Sequence, residues 1–161
     1  MSGVEGTDYG FNVASGIVAN CNGVIRDCYL DIHFAFDPAS VSTTMIGGIT
    51  TNRYSDFGIV KIYNSIVKVD ATSDILSSEK IHALKGAIVS VPDEEYVRDV
   101  FENIYVVSNF TSVVGRNNVG YTLPAIYADD AALIAAVSDF GLTGTYWSCT
   151  AGNVPKLVNM D

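Results

Sequence analysis

Three stretches decide the fold: Asp27-Cys28-Tyr29-Leu30-Asp31-Ile32, Asn64-Ser65-Ile66-Val67-Lys68-Val69 and Glu102-Asn103-Ile104-Tyr105-Val106-Val107. Each opens on a polar pair, or a polar residue and cysteine, and continues as a run of residues that suit a pleated, half-buried surface. From Cys28 to Ser65 is 37 residues, and from Ser65 to Asn103 is 38. A recurrence at this period is the mark of a stacked architecture, in which each unit buries its apolar face only against its neighbours.

A second set runs ahead of the first: Gly16-Ile17-Val18-Ala19, Gly48-Ile49-Thr50-Thr51 and Gly86-Ala87-Ile88-Val89. Gly48 lies 17 residues before Ser65, and Gly86 lies 17 before Asn103. Gly16 precedes Cys28 by only 12, so that connection is shorter. Strand parity places Cys28, Leu30, Ile32 and Phe34 on one face. Ser65, Val67 and Val69 then repeat it, followed by Asn103, Tyr105 and Val107. Tyr29, Asp31 and His33 take the opposite face, on which Ile66 and Ile104 also fall. These columns predict an all-β chain: a short parallel β-helix of about three coils over residues 16–109. Cys28, Ser65 and Asn103 should lie one above another, about 4.8 Å apart. An antiparallel β-sandwich, which also uses many short strands, is the alternative.

The connections carry the variation. Asp37-Pro38-Ala39-Ser40 is a turn or loop, residues 73–82 are a loop or one short helix, and Val91-Pro92-Asp93-Glu94-Glu95 opens a helical turn. Beyond residue 110 the pattern changes. Asp129-Asp130-Ala131-Ala132-Leu133-Ile134-Ala135-Ala136-Val137 is the best helix in the chain, opened by its aspartates, with Gly141 as a stop. Gly144-Thr145-Tyr146-Trp147-Ser148 reads as a strand, Ala151-Gly152-Asn153-Val154 as a turn, and Pro155-Lys156-Leu157-Val158 as a last extended piece. Residues 110–161 are thus expected to cap the coils within a single domain, residues 1–161. Leu133 and Val137 should face inward and Trp147 should be at least half buried against the helix.

Composition limits the partners. With 161 residues, 48% of them hydrophobic and 17% charged, the chain can bury a sizeable core and is not of the disordered type. A formal charge of −9, with nine scattered basic residues, argues against nucleic acid and against an anionic membrane surface. No stretch is long and apolar enough to span a bilayer. Cys21, Cys28 and Cys149 are an odd count without tight spacing, so they are expected as buried free thiols and not as a disulfide framework. Met1-Ser2-Gly3-Val4-Glu5-Gly6 lacks the regions of a secretory leader.

The run from Gly16-Ile17-Val18 through Asn22-Gly23-Val24-Ile25-Arg26-Asp27-Cys28-Tyr29 resembles the GLUG-type repeat of bacterial surface proteins, with Asp27 in place of the usual Asn. The later copies keep the spacing and lose the Cys-Tyr pair. The tail resembles the close of such arrays, with Asp129-Asp130, Phe140-Gly141, Trp147-Ser148, Gly152, Pro155 and Leu157. The resemblance covers most of residues 16–158. It implies a right-handed β-helix on a large exported protein, adhesin-like or wall-linked. An open first coil exposes unpaired strand edges and needs a cap, residues 1–15 offer no convincing one, and a preceding part of a longer protein is therefore expected.

No catalytic constellation stands out. His33 and His82 have no ligand-like spacing. Asp93-Glu94-Glu95 and Asp129-Asp130 lack any calcium-loop frame and read as helix starts and solvated loops. A 37-residue shift puts Asp31 over Lys68 and Asp27 over Asn64, so the columns do not build paired carboxylates for glycoside cleavage. Cross-strand charge pairing explains Asp31 and Lys68 better. Arg26, Lys61, Arg98 and Arg116 form no group, and no phosphate-binding glycine loop occurs. Asn109-Phe110-Thr111 fits a glycosylation sequon. The expectation is therefore a module with no enzymatic activity, no catalytic or metal residues and no cofactor. It would serve attachment at a cell surface, with a protein or glycan as ligand. A phage tail-fibre or spike component and a carbohydrate-active β-helix enzyme or its remnant are the alternatives.

Overall fold

The computed structural model describes residues 12–19, 21–40, 44–51, 60–78, 85–89, 99–115, 121–142 and 145–158. Its described part is mostly strand. In chain order the elements are β1 (Asn12–Ser15), β2 (Gly23–Arg26), β3 (Tyr29–Phe34), β4 (Thr44–Gly47), β5 (Val60–Ala71), α1 (Ser73–Ser77), β6 (Lys85–Gly86), β7 (Val100–Ser108), β8 (Ile126–Tyr127), α2 (Asp130–Ala136), β9 (Trp147–Ser148) and β10 (Lys156–Leu157). The strands form two parallel sheets and one small antiparallel hairpin, β9–β10. In the longer parallel sheet β2 and β3 both pair with β5, which pairs with β7, and β7 with β8. In the shorter one the order is β1-β4-β6. Parallel bridges Val18–Thr50, Thr50–Val89 and Val89–Val114 prolong the shorter ladder. The ladders through the three deciding stretches are thus parallel, as the columns predict and unlike those of an antiparallel sandwich.

The register departs from expectation by one residue in the third unit. Tyr29 faces Ile66, so Cys28 sits beside Ser65, and the Cys28 amide donates to Ser65 Oγ at 3.2 Å. Ser65, however, faces Ile104 and not Asn103. The shorter sheet slips in the same sense: Gly47 faces Gly86, which leaves Gly48 opposite Ala87. The step from second to third unit is therefore 39 residues, and the 17-residue spacing within a unit holds because both columns move together. A one-residue slip reverses the faces. Ile104, Val106 and Ser108 are buried, whereas Tyr105 and Val107 point outward with Tyr29 and Ile66.

What sets this register is a backbone requirement. Asp27, Asn64 and Asn103 all have positive φ, at 54°, 47° and 53°. Asp and Asn tolerate the left-handed region better than other non-glycine residues. The three form one column, with Asn103 Nδ2 donating to Asn64 Oδ1 at 3.2 Å. At each of them the strand turns a corner. In β5 the positions facing the main core run Val60, Ile62, then Ser65, Val67, Val69 and Ala71, so alternation skips one residue at Asn64. Both arms of the bent strand thereby aim side chains into the same core. Asn64→Gly should leave stability within a few tenths of a kcal/mol or raise it, because glycine takes positive φ freely. Asn64→Val should cost about 1–3 kcal/mol, as strained backbone does. Chemical denaturation midpoints of the two variants check this.

The main core lies between the two parallel sheets and contains Ile46, Ile49, Ile62, Val67, Val69, Ile88, Val89 and Val106. A second core lies on the outward face of the long sheet, where Leu133, Phe140, Leu142 and Trp147 pack on Ile66, flanked by Tyr29, Tyr105 and Tyr127. Leu133 and Trp147 are buried and Val137 partly so. The helix-and-hairpin region accordingly covers the side of the long sheet as well as packing beside β7 and β8 at its end. The apolar Ile66 on the outward face is what requires this lateral cover.

Several local expectations need correction. The helix ends at Ala136 with Val137 as its extended C-cap, so Gly141 is not its stop. Gly141 instead takes φ 58° in the following turn. Cys21 and Cys28 are only partly buried and Cys149 is exposed, although all three are free thiols. The acid-first helix start is as expected, for Asp129 Oδ1 accepts from the Ala132 amide at 2.7 Å. The helical turn expected at residues 91–95, with His82, Arg98 and Arg116, lies outside the described residues.

Candidate functional site

The outward face of the long sheet is where charged and polar side chains of different units meet. Alternation along β3 and β5 sends Tyr29, Asp31 and His33, then Ile66, Lys68 and Asp70, to that side. Tyr105 and Val107 of β7 follow, with Asn109 just beyond. Register then makes three rows. Tyr29–Ile66–Tyr105 is the row under the C-terminal region. Asp31–Lys68–Val107 is the middle row, and His33–Asp70 continues towards Asn109. The last two rows form a shelf with a hollow of about 200 Å³, lined by Asp31, Lys68, Asp70, Val107, Asn109 and Ala128 among others.

Asp31 does lie beside Lys68, as the 37-residue shift predicts. The ion pair that forms is a different one: Lys68 Nζ donates to Asp130 Oδ2 at 2.6 Å, tying the shelf to the first turn of α2. Lys68 also lies 5.8 Å from the centroid of the Tyr29 ring. Burial by itself would lower the lysine pKa. The Asp130 bond and Tyr29 more than offset it, so the pKa lies above its ordinary value of 10.5. A group with raised pKa in the fold contributes stability in full below its unfolded value, and that contribution is lost as pH rises through the folded one. The stability lead of the native chain over Lys68→Met should therefore be constant near neutral pH and shrink above about pH 10. Paired denaturation curves from pH 7 to 12 measure it. Tyr105, whose pKa is raised by burial and by Asp139, loses stabilisation in the same direction, which is why the difference between the two chains is the quantity to read.

His33 Nδ1 and Asp70 Oδ1 are 2.7 Å apart, both well exposed. Sequence reasoning missed this pair, although the same 37-residue shift that joins Asp31 to Lys68 joins His33 to Asp70. The pair has no nucleophile beside it among the described residues. The nearby Ser108 hydroxyl is buried and donates to the Val69 carbonyl. Burial pushes the thiols of Cys21 and Cys28 above their ordinary pKa, helped by Asp99 and Asp27 respectively, so neither is primed as a thiolate. Among the described residues no three His, Cys, Asp or Glu side chains are grouped to hold a metal ion. Asp27 and Asn64 are neighbours in a structural column and Lys61 is exposed on β5.

The sequon asparagine is committed elsewhere. Asn109 Nδ2 donates to the Ala71 carbonyl at 2.8 Å, and its Oδ1 accepts from the Ala71 amide at 3.0 Å. The side chain thus prolongs the ladder between β5 and β7 like a backbone unit. Among the described residues no helix is long and apolar enough to cross a membrane. No family model, curated protein or solved structure matches the chain.

Proposed function

We propose that the chain is a short right-handed parallel β-helix of GLUG-like repeats with no enzymatic activity. In this reading it is a binding or attachment module of a longer bacterial protein displayed at the cell surface. The observation that carries the reading is the repetition of one unit in two sheets at once. Both ladders step by 39 residues from the second unit to the third, and the Asp27–Asn64–Asn103 column turns the chain at the same point each time. Such stacking makes a stiff body with broad lateral faces, which suits holding a partner. The outward shelf supports binding over turnover. Its lysine is held by Asp130, its asparagine by the Ala71 backbone, and its histidine by Asp70.

The test joins a glycan array to a reducing-end assay on the purified chain. Binding to surface glycans or proteins without sustained release of reducing ends or unsaturated sugars is the expected result. Steady release that Asp31→Asn or Asp70→Asn abolishes would overturn the reading and make the shelf an active site.

A further inference from the structure

A second hollow lies on the other arm of the bent sheet. It is a cleft of about 390 Å³ between the end of β2 and the C-terminal hairpin, lined by Arg26, Asp27, Tyr146, Leu157 and Val158. That volume is at the small end of the ~300–1,000 Å³ typical of small-molecule sites. One wall is charged. Arg26 Nε donates to Asp27 Oδ2 at 2.9 Å, and the side chains of the two are 66% and 13% exposed. Asp27 is in turn held at its corner, where its amide donates to the Tyr63 carbonyl at 3.2 Å. The other wall is apolar and open to solvent: Tyr146 is 60% exposed and Val158 47%. Both belong to the hairpin, pinned together by the Val158 amide donating to the Tyr146 carbonyl at 2.8 Å.

We infer that this cleft binds a neutral pyranose unit of a glycan, an inference that rests on the reading of the chain as a binding module. A carboxylate is an acceptor only and a guanidinium a donor only. Set side by side they match two neighbouring sugar hydroxyls, one donating to Asp27 and the other accepting from the Arg26 Nη groups. Among the described residues only the Nε of that guanidinium is engaged. The ring of Tyr146 offers a flat apolar surface to the C–H face of the sugar, and Leu157 and Val158 extend it. The charge of the cleft and of the chain selects against an acidic ligand. The Arg26–Asp27 pair neutralises itself, and the whole chain carries −9, which repels a polyanion at long range.

The experiment titrates the full chain, labelled with ¹⁵N, with maltotriose, cellotriose, chitotriose and mannotriose, and in separate arms with trigalacturonate and a tetrapeptide pool. At least one neutral trisaccharide should bind with Kd about 1 mM, the scale for one sugar ring in an open site. It should shift amide resonances around residues 26–27, 146 and 157–158. Tyr146→Ala and Arg26→Met should each weaken that binding about tenfold, Tyr146→Phe should retain it, and circular dichroism should show all three variants folded. Four results would overturn the site. They are no shift from any neutral sugar at about twenty times that concentration, binding of trigalacturonate alone with loss in salt, binding of peptide alone, or neutral-sugar binding that Tyr146→Ala leaves intact. The last leaves the module a glycan binder with its site elsewhere, whereas catalytic turnover would remove the binding-module reading itself.

Discussion

Gly48→Ala should destabilise the chain by about 1–3 kcal/mol or more, although it adds a single methyl group. Gly48 sits where the shorter ladder leaves no room for a side chain. A Cβ there would fall 1.9 Å from the Ala87 carbonyl oxygen, 3.0 Å from its carbon and 3.2 Å from Val69 Cγ1. The first two of these are backbone, so no rotamer change makes room. Relief requires the two units to separate, and separation breaks the Gly48 amide bond to the Gly86 carbonyl and the Ile49 amide bond to the Ile88 carbonyl. The same crowding recurs one unit earlier, where a Cβ on Gly16 would come 2.3 Å from the Gly48 oxygen. That unit is at the edge of the described ladder, and its nearest other contacts are the flexible ends of Leu30. Gly16→Ala should therefore cost less than Gly48→Ala. Urea midpoints of the two variants measure the order, and an equal loss for both would show that the crowding at Gly48 is relieved by local backbone movement.

The same glycines mark how far the sequence could be read. Their recurrence with Ile-rich neighbours announced parallel ladders, and the first step, Cys28 to Ser65, carried the correct register. The second step is off by one residue because aligning the polar pair Asn64-Ser65 with Glu102-Asn103 sets Ser65 against Asn103, where the ladder sets it against Ile104. The backbone instead matches Asn64 to Asn103, since a residue with φ near 50° selects Asn or Asp at every turn. Side-chain type at a corner outweighs side-chain type along a strand, because the strand tolerates many β-formers and the corner few. With that rule the two apolar residues that spoiled the outward face sort themselves: Ile104 turns inward, and Ile66 stays outward beneath Trp147. The Asp31–Lys68 neighbours on the shelf were legible from the shift, and so in principle was His33–Asp70. Asp130 was not, because it arrives from a helix 62 residues after Lys68 with no repeat to place it. The Arg26–Tyr146 cleft was illegible for the same reason, since one wall comes from the end of β2 and the other from the hairpin.

Trp147→Ala should be the most damaging single substitution outside the main core, costing about 3–5 kcal/mol. Trp147 is 7% exposed and belongs to the cluster that joins Leu133 of α2 and Phe140 to Ile66 of the long sheet. Removing the indole opens a cavity where the helix, the hairpin and the sheet meet, and uncovers Ile66, which is fully buried at present. The loss should be local in the first instance. The second core is distinct from the first, so the hairpin and α2 should detach before the parallel ladders melt. Hydrogen exchange on Trp147→Ala would then show lost protection at residues 130–157 with protection retained at Val67 and Val106. Uniform loss across both cores would mean that the lateral cover and the ladders fold as one unit. A second variant separates packing from polarity. The indole Nε1 is buried and meets no hydrogen-bond partner among the described residues, and a buried donor left unpaired costs about 1–3 kcal/mol. Trp147→Phe keeps most of the apolar volume and removes that donor. It should fall well short of the alanine loss, and a denaturation midpoint near the native one is the expected result. A loss as large as that of Trp147→Ala would show that the full indole shape, and not its apolar bulk, holds the cover on the sheet.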